Sequence, residues 1–435
     1  MKSKLVIFWF RRDLRLEDNT GLQQALASGY PVLPMFIFDT EILDRLVNKY
    51  DRRVDYIQQA LTSVNSALQD AHTALQTYHG KPIEIFEQVT AAYDVQAVYC
   101  NKDYEPDAIK RDDTVRNYLL HKNIPFHTYK DHVIFEQSEI TKIDGTPYTV
   151  YTPYAKKWLS ELKPEHYAAK SVDLTPWQKV DHSSIITLAD LGFKKTDLTF
   201  QAPEIDLNII MDYDKYRNFP ALNRTTHLGI ALRFGTISIR KCVAFALQYN
   251  ATWLSELIWR EFFTQILHHF PKVVDTCFKA KYEQINWRNN EHEFELWCKG
   301  ETGYPIVDAG MRQLNLTGFM HNRVRMVVAS FLCKHLLIDW RWGEAYFAEK
   351  LDDYDLSANN GNWQWAAGCG CDAAPYFRIF NPTAQTQKFD KDLAYVKTWY
   401  PEYDLQLTPP IVDHTFARER ALRAYKQALQ DTEIQ

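Results

Sequence analysis

Across residues 1–130, apolar positions fall into short runs separated by stretches with three- and four-residue spacing. Leu5–Phe10, Pro31–Phe38, Pro82–Phe86, Ala97–Asn101 and Pro125–Tyr129 read as strands, with Tyr50–Leu75 as a helix among them. Strands alternating with helices predict a parallel sheet covered on both faces, a Rossmann-like α/β domain. Residues 131–205 hold no sustained period and carry Pro153, Pro164, Pro176 and Pro203. They read as an interdomain connection crossing the surface. From 206 to 435 strand signals nearly vanish. Helical spacing dominates in Trp253–Phe270, Pro305–Leu314, Arg323–Leu337, Gly343–Leu351 and Thr415–Leu429, which predicts an all-α domain.

The 435 residues suffice for two separate cores. No segment reaches the roughly 18 consecutive apolar residues of a membrane span. Met1–Phe10 lacks a small-residue cleavage site and runs into Arg11-Arg12-Asp13, so no signal peptide is expected. Seven scattered cysteines then fit a reducing cytoplasm. Cys369 and Cys371, one residue apart, suit a core better than a disulfide. No cysteine spacing suggests an iron–sulfur cluster, and no metal site is expected. The net charge of −5 excludes a chain that is basic all over, but leaves room for a local basic face that meets nucleic acid.

Twelve tryptophans is a high count, and nine lie beyond residue 250. A large aromatic core is one account of them. Position suggests more. Residues 253, 256, 259, 260 and 263 share one helical face, which holds Trp253, Glu256, Trp259, Arg260 and Phe263. That face is either a surface with a Glu256–Arg260 ion pair or a pocket wall that stacks a flat ligand and reads it with a carboxylate. Further on, Asp353 and Asp355 straddle Tyr354, and Asn359-Asn360-Gly361-Asn362-Trp363-Gln364-Trp365 follows. Amides and acids beside two indoles suit a polar heteroaromatic ligand. Trp363 and Trp365 are two apart, so a helix sends them to nearly opposite faces. Upstream, Arg325 is placed to neutralise Asp353. After the first strand there is no Gly-x-Gly-x-x-Gly but a charged loop, Arg11 to Asn19. It reads either as solvated, with Asp18 or Asn19 capping a helix, or as a ligand loop.

Taken together, these motifs resemble the cryptochrome/photolyase family, and within it the class I cyclobutane pyrimidine dimer photolyases. The likeness runs from Phe8 to about Tyr403. Its main early match is Phe10-Arg-Arg-Asp-Leu-Arg-Leu-Glu-Asp-Asn19. It is strong in Trp253-Leu-Ser-Glu-Leu-Ile-Trp-Arg-Glu-Phe262, Thr302-Gly-Tyr-Pro-Ile-Val-Asp-Ala309, Met320-His-Asn-Arg323, Asn359 to Trp365 and Ala373 to Pro382.

The resemblance implies an enzyme, a deoxyribodipyrimidine photo-lyase, with FAD in the helical domain and light-driven repair of dimers flipped out of double-stranded DNA. Matching positions give flavin contacts to Tyr213, Thr225, Thr226, His227, Leu228, Gly229, Trp253, Arg325, Asp353, Tyr354 and Asp355. Asn359 falls beside the reactive flavin nitrogen. Trp363, Trp340 and Trp287 match electron-transfer tryptophans ordered from flavin to surface. Trp259 and Trp365 match the pair that cradles the dimer, Glu256 the acid that hydrogen-bonds it, and Asn322 and Met326 its cavity lining. Arg217, Arg323 and Arg378 match contacts to the DNA backbone, and Arg260, within the Trp253–Phe262 motif, is placed with the substrate- and DNA-binding residues.

The chain departs from the family at Gly229, where serine is frequent, and at Phe319, where tryptophan is common. Asp107 and Ala108 replace an Asn-Glu pair that holds folate, so folate is not assigned, and any second antenna chromophore is of unknown identity. A (6-4) photolyase would carry histidines at the positions of Asn322 and Met326. DASH-type proteins lack the Asn-Asn-Gly-x-Trp-Gln-Trp pattern, and a blue-light signalling cryptochrome is the alternative of another class. A cytoplasmic monomer with no membrane association is expected.

Overall fold

The computed structural model describes residues 2–171, 177–180, 183–403 and 409–431. It resolves into two compact units, and the chain passes between them more than once. The first comprises residues up to Glu139, Ser160–Ile205 and His227–Tyr249; the second comprises Ile140–Leu159, Asp206–Thr226 and Asn250 onward.

The first unit is built on strands β1 (Lys4–Phe10), β2 (Val32–Asp39), β3 (Gln76–Gly80), β4 (Asp94–Asn101) and β5 (Phe126–Tyr129). All pair in parallel in the order β3-β2-β1-β4-β5, as the α/β reading predicts. β1 and β2 are almost wholly buried, which is why their sequences are continuous apolar runs. Pro82–Phe86 is not a strand but the start of helix α3; besides a single turn at Thr40–Leu43, the preceding helices are α1 (Thr20–Leu26) and α2 (Arg52–Asp70), and α3 spans Pro82–Ala92. Pro82 stands in the first turn, where its missing N–H costs nothing, and Ile85, Phe86 and Val89 form the buried stripe. The third strand is the polar Gln76–Gly80. As an edge strand it lacks the apolar run that marks the others.

The charged loop after β1 is largely buried, with Glu17 alone of residues 11–19 exposed. Arg15 reaches Asp131 at 2.6 Å, and Arg240 bridges Asp131 at 2.8 Å and Asp18 at 2.9 Å. Asn19 caps α1 by accepting from the Leu22 N–H at 3.1 Å. The loop's charges therefore tie its own unit together.

The second unit is helical, and no strand follows Tyr129 among the described residues. Within the stretch read as a connection lies an unforeseen helix, α4 (Tyr151–Glu161). Its stripe of Tyr151, Tyr154 and Trp158 docks on helix α5 (Ala251–His269): the Trp158 indole N–H donates to Glu261 at 2.6 Å, and Tyr154 O–H to the same carboxylate at 3.4 Å. Further helices are α6 (Pro305–Thr317), α7 (Asn322–Ser330), α8 (Trp340–Lys350), α9 (Leu356–Ala367) and α10 (His414–Asp431).

A π-helical turn, Phe331–Leu336, follows α7 and buries Lys334. The Lys334 ammonium donates to the Ala367 carbonyl at 2.8 Å and lies 3.6 Å from the Tyr425 ring centre. Burial pulls it down from 10.5 to about 7. Between those values the unfolded chain holds a proton that the folded chain has released, so this residue's contribution to stability rises with pH. The stability of a Lys334→Met variant relative to the parent should therefore fall between about pH 6.5 and about pH 9.5, read from urea midpoints. A constant difference would show that Lys334 does not titrate in this range.

Candidate functional site

Two helices of the second unit bring the singled-out residues together. Helix α5 carries Trp253, Glu256, Trp259 and Arg260, and α9 carries Asn359, Trp363 and Trp365. They approach closely because Gly361 has no side chain: a Cβ there would stand 2.2 Å from the Phe263 ring. Phe263 in turn packs against Trp259 at 5.5 Å. Trp259 and Trp365 are half-buried, while Trp253 is buried.

Glu256 pairs with Arg217 at 2.5 Å, a partner far along the chain that helical spacing alone could not supply. The Arg217 guanidinium also lies 5.5 Å from the Tyr213 ring, and burial pushes the Tyr213 phenol up to about 12. Arg323 donates to Asn218 at 2.7 Å and covers Phe389 at 4.5 Å. Burial, then the like charges of Arg217 and Arg378, hold its guanidinium below its ordinary value. Arg378 is exposed and lies 6.0 Å from the Trp365 ring. Arg323 therefore lies within electrostatic reach of both Arg217 and Arg378, a grouping of cations on a chain whose net charge is −5. On α7, Asn322 and Met326 are one helical turn apart; Asn322 is exposed and Met326 half-buried.

A second group lies around the start of α9. Arg325 pairs with Asp353 at 3.0 Å, as the sequence suggested, and donates to the Met320 carbonyl at 2.7 Å. Asp355 caps α9, accepting from the Ala358 N–H at 3.2 Å and from Ser357 at 2.5 Å. Tyr354 is half-buried between the two acids. The Asn359 amide donates to the carbonyl of Glu344 at 3.0 Å and to its carboxylate at 2.8 Å. A backbone carbonyl can only accept, so this fixes the amide and leaves Asn359 Oδ1 as an acceptor. Burial raises Glu344 above the usual carboxylate range. Nothing in the sequence singled out Glu344.

The other amides of the motif have structural tasks. Asn360 and Gln364 both donate to the Val273 carbonyl at 2.9 Å, and Gln364 accepts from Phe278 N–H at 2.8 Å. Asn362 bonds within its own helix. Asn360 and Gln364 are thus committed to the fold through both amide atoms, so the reading of a generally amide-lined ligand site narrows to Asn359 and the exposed Asn362.

Trp363 and Trp365 part as helical geometry requires. Trp363 is 2% exposed and packs edge-on against Phe347 at 5.0 Å. It also lies across Gly343, where a Cβ would come within 2.1 Å of the indole. Gly343 is one turn beyond Trp340 on α8, so the packing brings Trp363 to the helix that begins with Trp340. Exposure rises from buried Trp363 and Trp340 to half-buried Trp287. Trp297, which the sequence reading passed over, is fully buried with its ring 6.1 Å from Trp363. Gly343→Ala should overpack this contact and destabilise the protein by about 1–3 kcal/mol, measured by urea unfolding. An unchanged midpoint would mean the indole can move aside freely.

The described parts of the segment from Thr225 to Gly229 divide between the units. Thr225 and Thr226 are half-buried in the second unit; His227, Leu228 and Gly229 belong to the first, with Gly229 opening a short helix.

Two family models match the chain: one described as the FAD binding domain of DNA photolyase over residues 253–409, the other as DNA photolyase over residues 6–173. The chain belongs to the DNA photolyase family. It is 38% identical to the deoxyribodipyrimidine photo-lyase of Synechococcus sp., covering 97% of this chain and 96% of that one. A bacterial class III photolyase from Agrobacterium tumefaciens superposes with a TM-score of 0.88 at 32% identity, covering 99% and 98% of the two chains. An archaeal photolyase from Sulfolobus tokodaii with two FAD molecules gives 0.84 at 33%, covering 97% and 99%. The enzyme is thus a photolyase with an FAD-binding helical region, acting in light-driven DNA repair. Among the described residues no helix is long and apolar enough to cross a membrane.

Proposed function

We propose that this photolyase reverses cyclobutane pyrimidine dimers, holding the flipped lesion between α5 and α9. One observation carries the reading: a chain of neighbours that returns on itself. It runs from Glu256 to Arg217, through the clustered Arg323 and Arg378 to Trp365, and back through Gly361 and Phe263 to Trp259. Two half-buried indoles and a carboxylate thus stand beside a cation cluster. That combination suits two adjacent pyrimidines joined into one lesion, whose flanking phosphates need positive partners.

The donor set also suits FAD. The Arg325–Asp353 pair and Asp355 would hold it through charged and hydrogen-bonding groups. Tyr213, Thr225, Thr226, Trp253 and Tyr354, all of the second unit, complete the contacts assigned there. FAD, when bound, supplies the light-excited one-electron donor. Asn359 offers its free acceptor to the flavin ring edge, and Glu344 fixes that amide. Trp363, Trp340 and Trp287 hand electrons inward. Glu256 hydrogen-bonds the lesion, Trp259 and Trp365 stack on it, and Arg260 adds positive charge to the same helix face. Asn322 and Met326 line the cavity without a titratable group, which favours a lesion that splits with no net proton transfer over one that needs a proton donor.

The test uses enzyme whose flavin has been chemically reduced. A duplex carrying one thymine cyclobutane dimer should be restored to intact thymines under blue light, while a (6-4) lesion stays unchanged. Dark binding of dimer DNA with no reversal under light would sink the proposal and favour a sensory role. Reversal of the (6-4) lesion would reassign the substrate.

A further inference from the structure

The indole of Trp259 is not held by its own helix alone. Tyr151, the first residue of α4, lies face to face with it, ring centres 3.7 Å apart and planes within 6°. Among the described aromatic pairs this is the closest stack. The tyrosine is itself anchored at both ends. Its hydroxyl donates to the Ser255 carbonyl at 2.9 Å and meets the Ser255 hydroxyl at 2.6 Å, one turn before Trp259 on α5. Its backbone N–H donates to the Asp372 carboxylate at 3.1 Å. Asp372 sits in the left-handed region with φ 44°, in the segment between α9 and Arg378. Phe262 closes the edge of the Tyr151 ring at 5.9 Å. Burial pushes the phenol up to about 12, so it remains a neutral donor.

We infer that Tyr151 is a positioning residue for damaged-base recognition, a templating ring that fixes the plane of Trp259 before the lesion arrives. The inference rests on the reading of Trp259 as a wall of the dimer site. An indole on a helix surface has several staggered side-chain rotamers. Tyr151 occupies one of its faces, yet Trp259 stays half-buried and so keeps accessible ring surface. The ordering cost of that ring is met during folding rather than during binding. The tie to Asp372 also couples α4 to the segment that leads to Arg378, so one residue touches both the stacking wall and the start of a cationic one.

The experiment compares Tyr151→Leu, Tyr151→Phe and Trp259→Leu in the FAD-loaded enzyme, in the dark. Affinities are measured for a duplex with one thymine dimer and for the undamaged duplex, together with FAD content. Tyr151→Leu should weaken dimer binding by about twofold to tenfold, the cost of ordering one free ring at the interface. Binding to undamaged duplex and FAD content should stay at the parent level, and Tyr151→Phe, which keeps the stack, should restore dimer affinity. If Trp259→Leu loses dimer specificity while Tyr151→Leu does not, the inference fails and the reading of Trp259 stands. If Trp259→Leu changes nothing, the reading of the site itself fails. Equal loss by Tyr151→Leu for both duplexes, or loss of FAD, would make Tyr151 mere scaffold and overturn the inference. A readout independent of the leucine variant is fluorine NMR of 5-fluorotryptophan-labelled parent enzyme, with Trp259 assigned by Trp259→Phe. One resonance is expected without DNA; two or more would show an indole that Tyr151 does not fix.

Discussion

Trp363→Phe should abolish most of the light-driven reduction of bound FAD while leaving repair by chemically reduced enzyme near the parent level. Each added 1.4 kcal/mol or so of barrier slows a step about tenfold, and losing the easily oxidised indole raises the first electron-transfer step by more than that. The substitution is also mild enough to be diagnostic. Trp363 is held by Phe347 edge-on and by the bare backbone of Gly343, contacts that a phenylalanine ring partly keeps. Transient absorption after a blue flash measures the reduction, and dimer reversal with dithionite-reduced enzyme measures repair. Loss of both would make Trp363 a structural residue. Full photoreduction in the variant would instead turn attention to Trp297, whose buried ring lies 6.1 Å from Trp363. Gly343→Ala adds a separate check, since it shifts the indole without removing it.

Much of this was legible in the sequence because buried elements leave a period. β1 and β2 are covered on both sides and read as continuous apolar runs. The helix faces of Glu256, Trp259, Trp363 and Trp365 follow from 3.6-residue geometry, and the Arg325–Asp353 pair joins groups already singled out. What escaped has a physical reason in each case. β3 is a short polar edge strand, so the neighbouring apolar run of α3 took its place in the reading. Helix α4 buries only Tyr154 and Trp158 fully, too sparse a stripe to stand out among prolines. Glu256 has Arg217 as a partner, and Asn359 has Glu344, through tertiary packing that no local spacing encodes. Asn360 and Gln364 looked like ligand groups because an amide that satisfies buried backbone and one that reads a ligand are the same in sequence.

The arginine cluster gives the second large effect. Arg323→Gln and Arg378→Gln should each weaken binding to any duplex by about tenfold at low salt, the cost of a lost charged hydrogen bond to phosphate. Each should also lower the slope of log affinity against log salt by about 0.9, because one fewer counterion is released. Dimer-containing and undamaged DNA should lose affinity alike, since a phosphate contact carries no information about the lesion. Arg217→Gln should behave differently. It removes the 2.5 Å partner of Glu256 and leaves a half-buried carboxylate without its cation. Its effect should therefore fall more heavily on the dimer than on undamaged duplex. Fluorescence anisotropy across a salt series separates the two behaviours. Unchanged slopes for Arg323→Gln and Arg378→Gln would show that the cluster does not face DNA. The burial and the mutual repulsion that lower Arg323 would then serve some other anion. If the cluster does face DNA, phosphates relieve that repulsion on binding, so cations held together at a cost in the free enzyme become the source of its affinity.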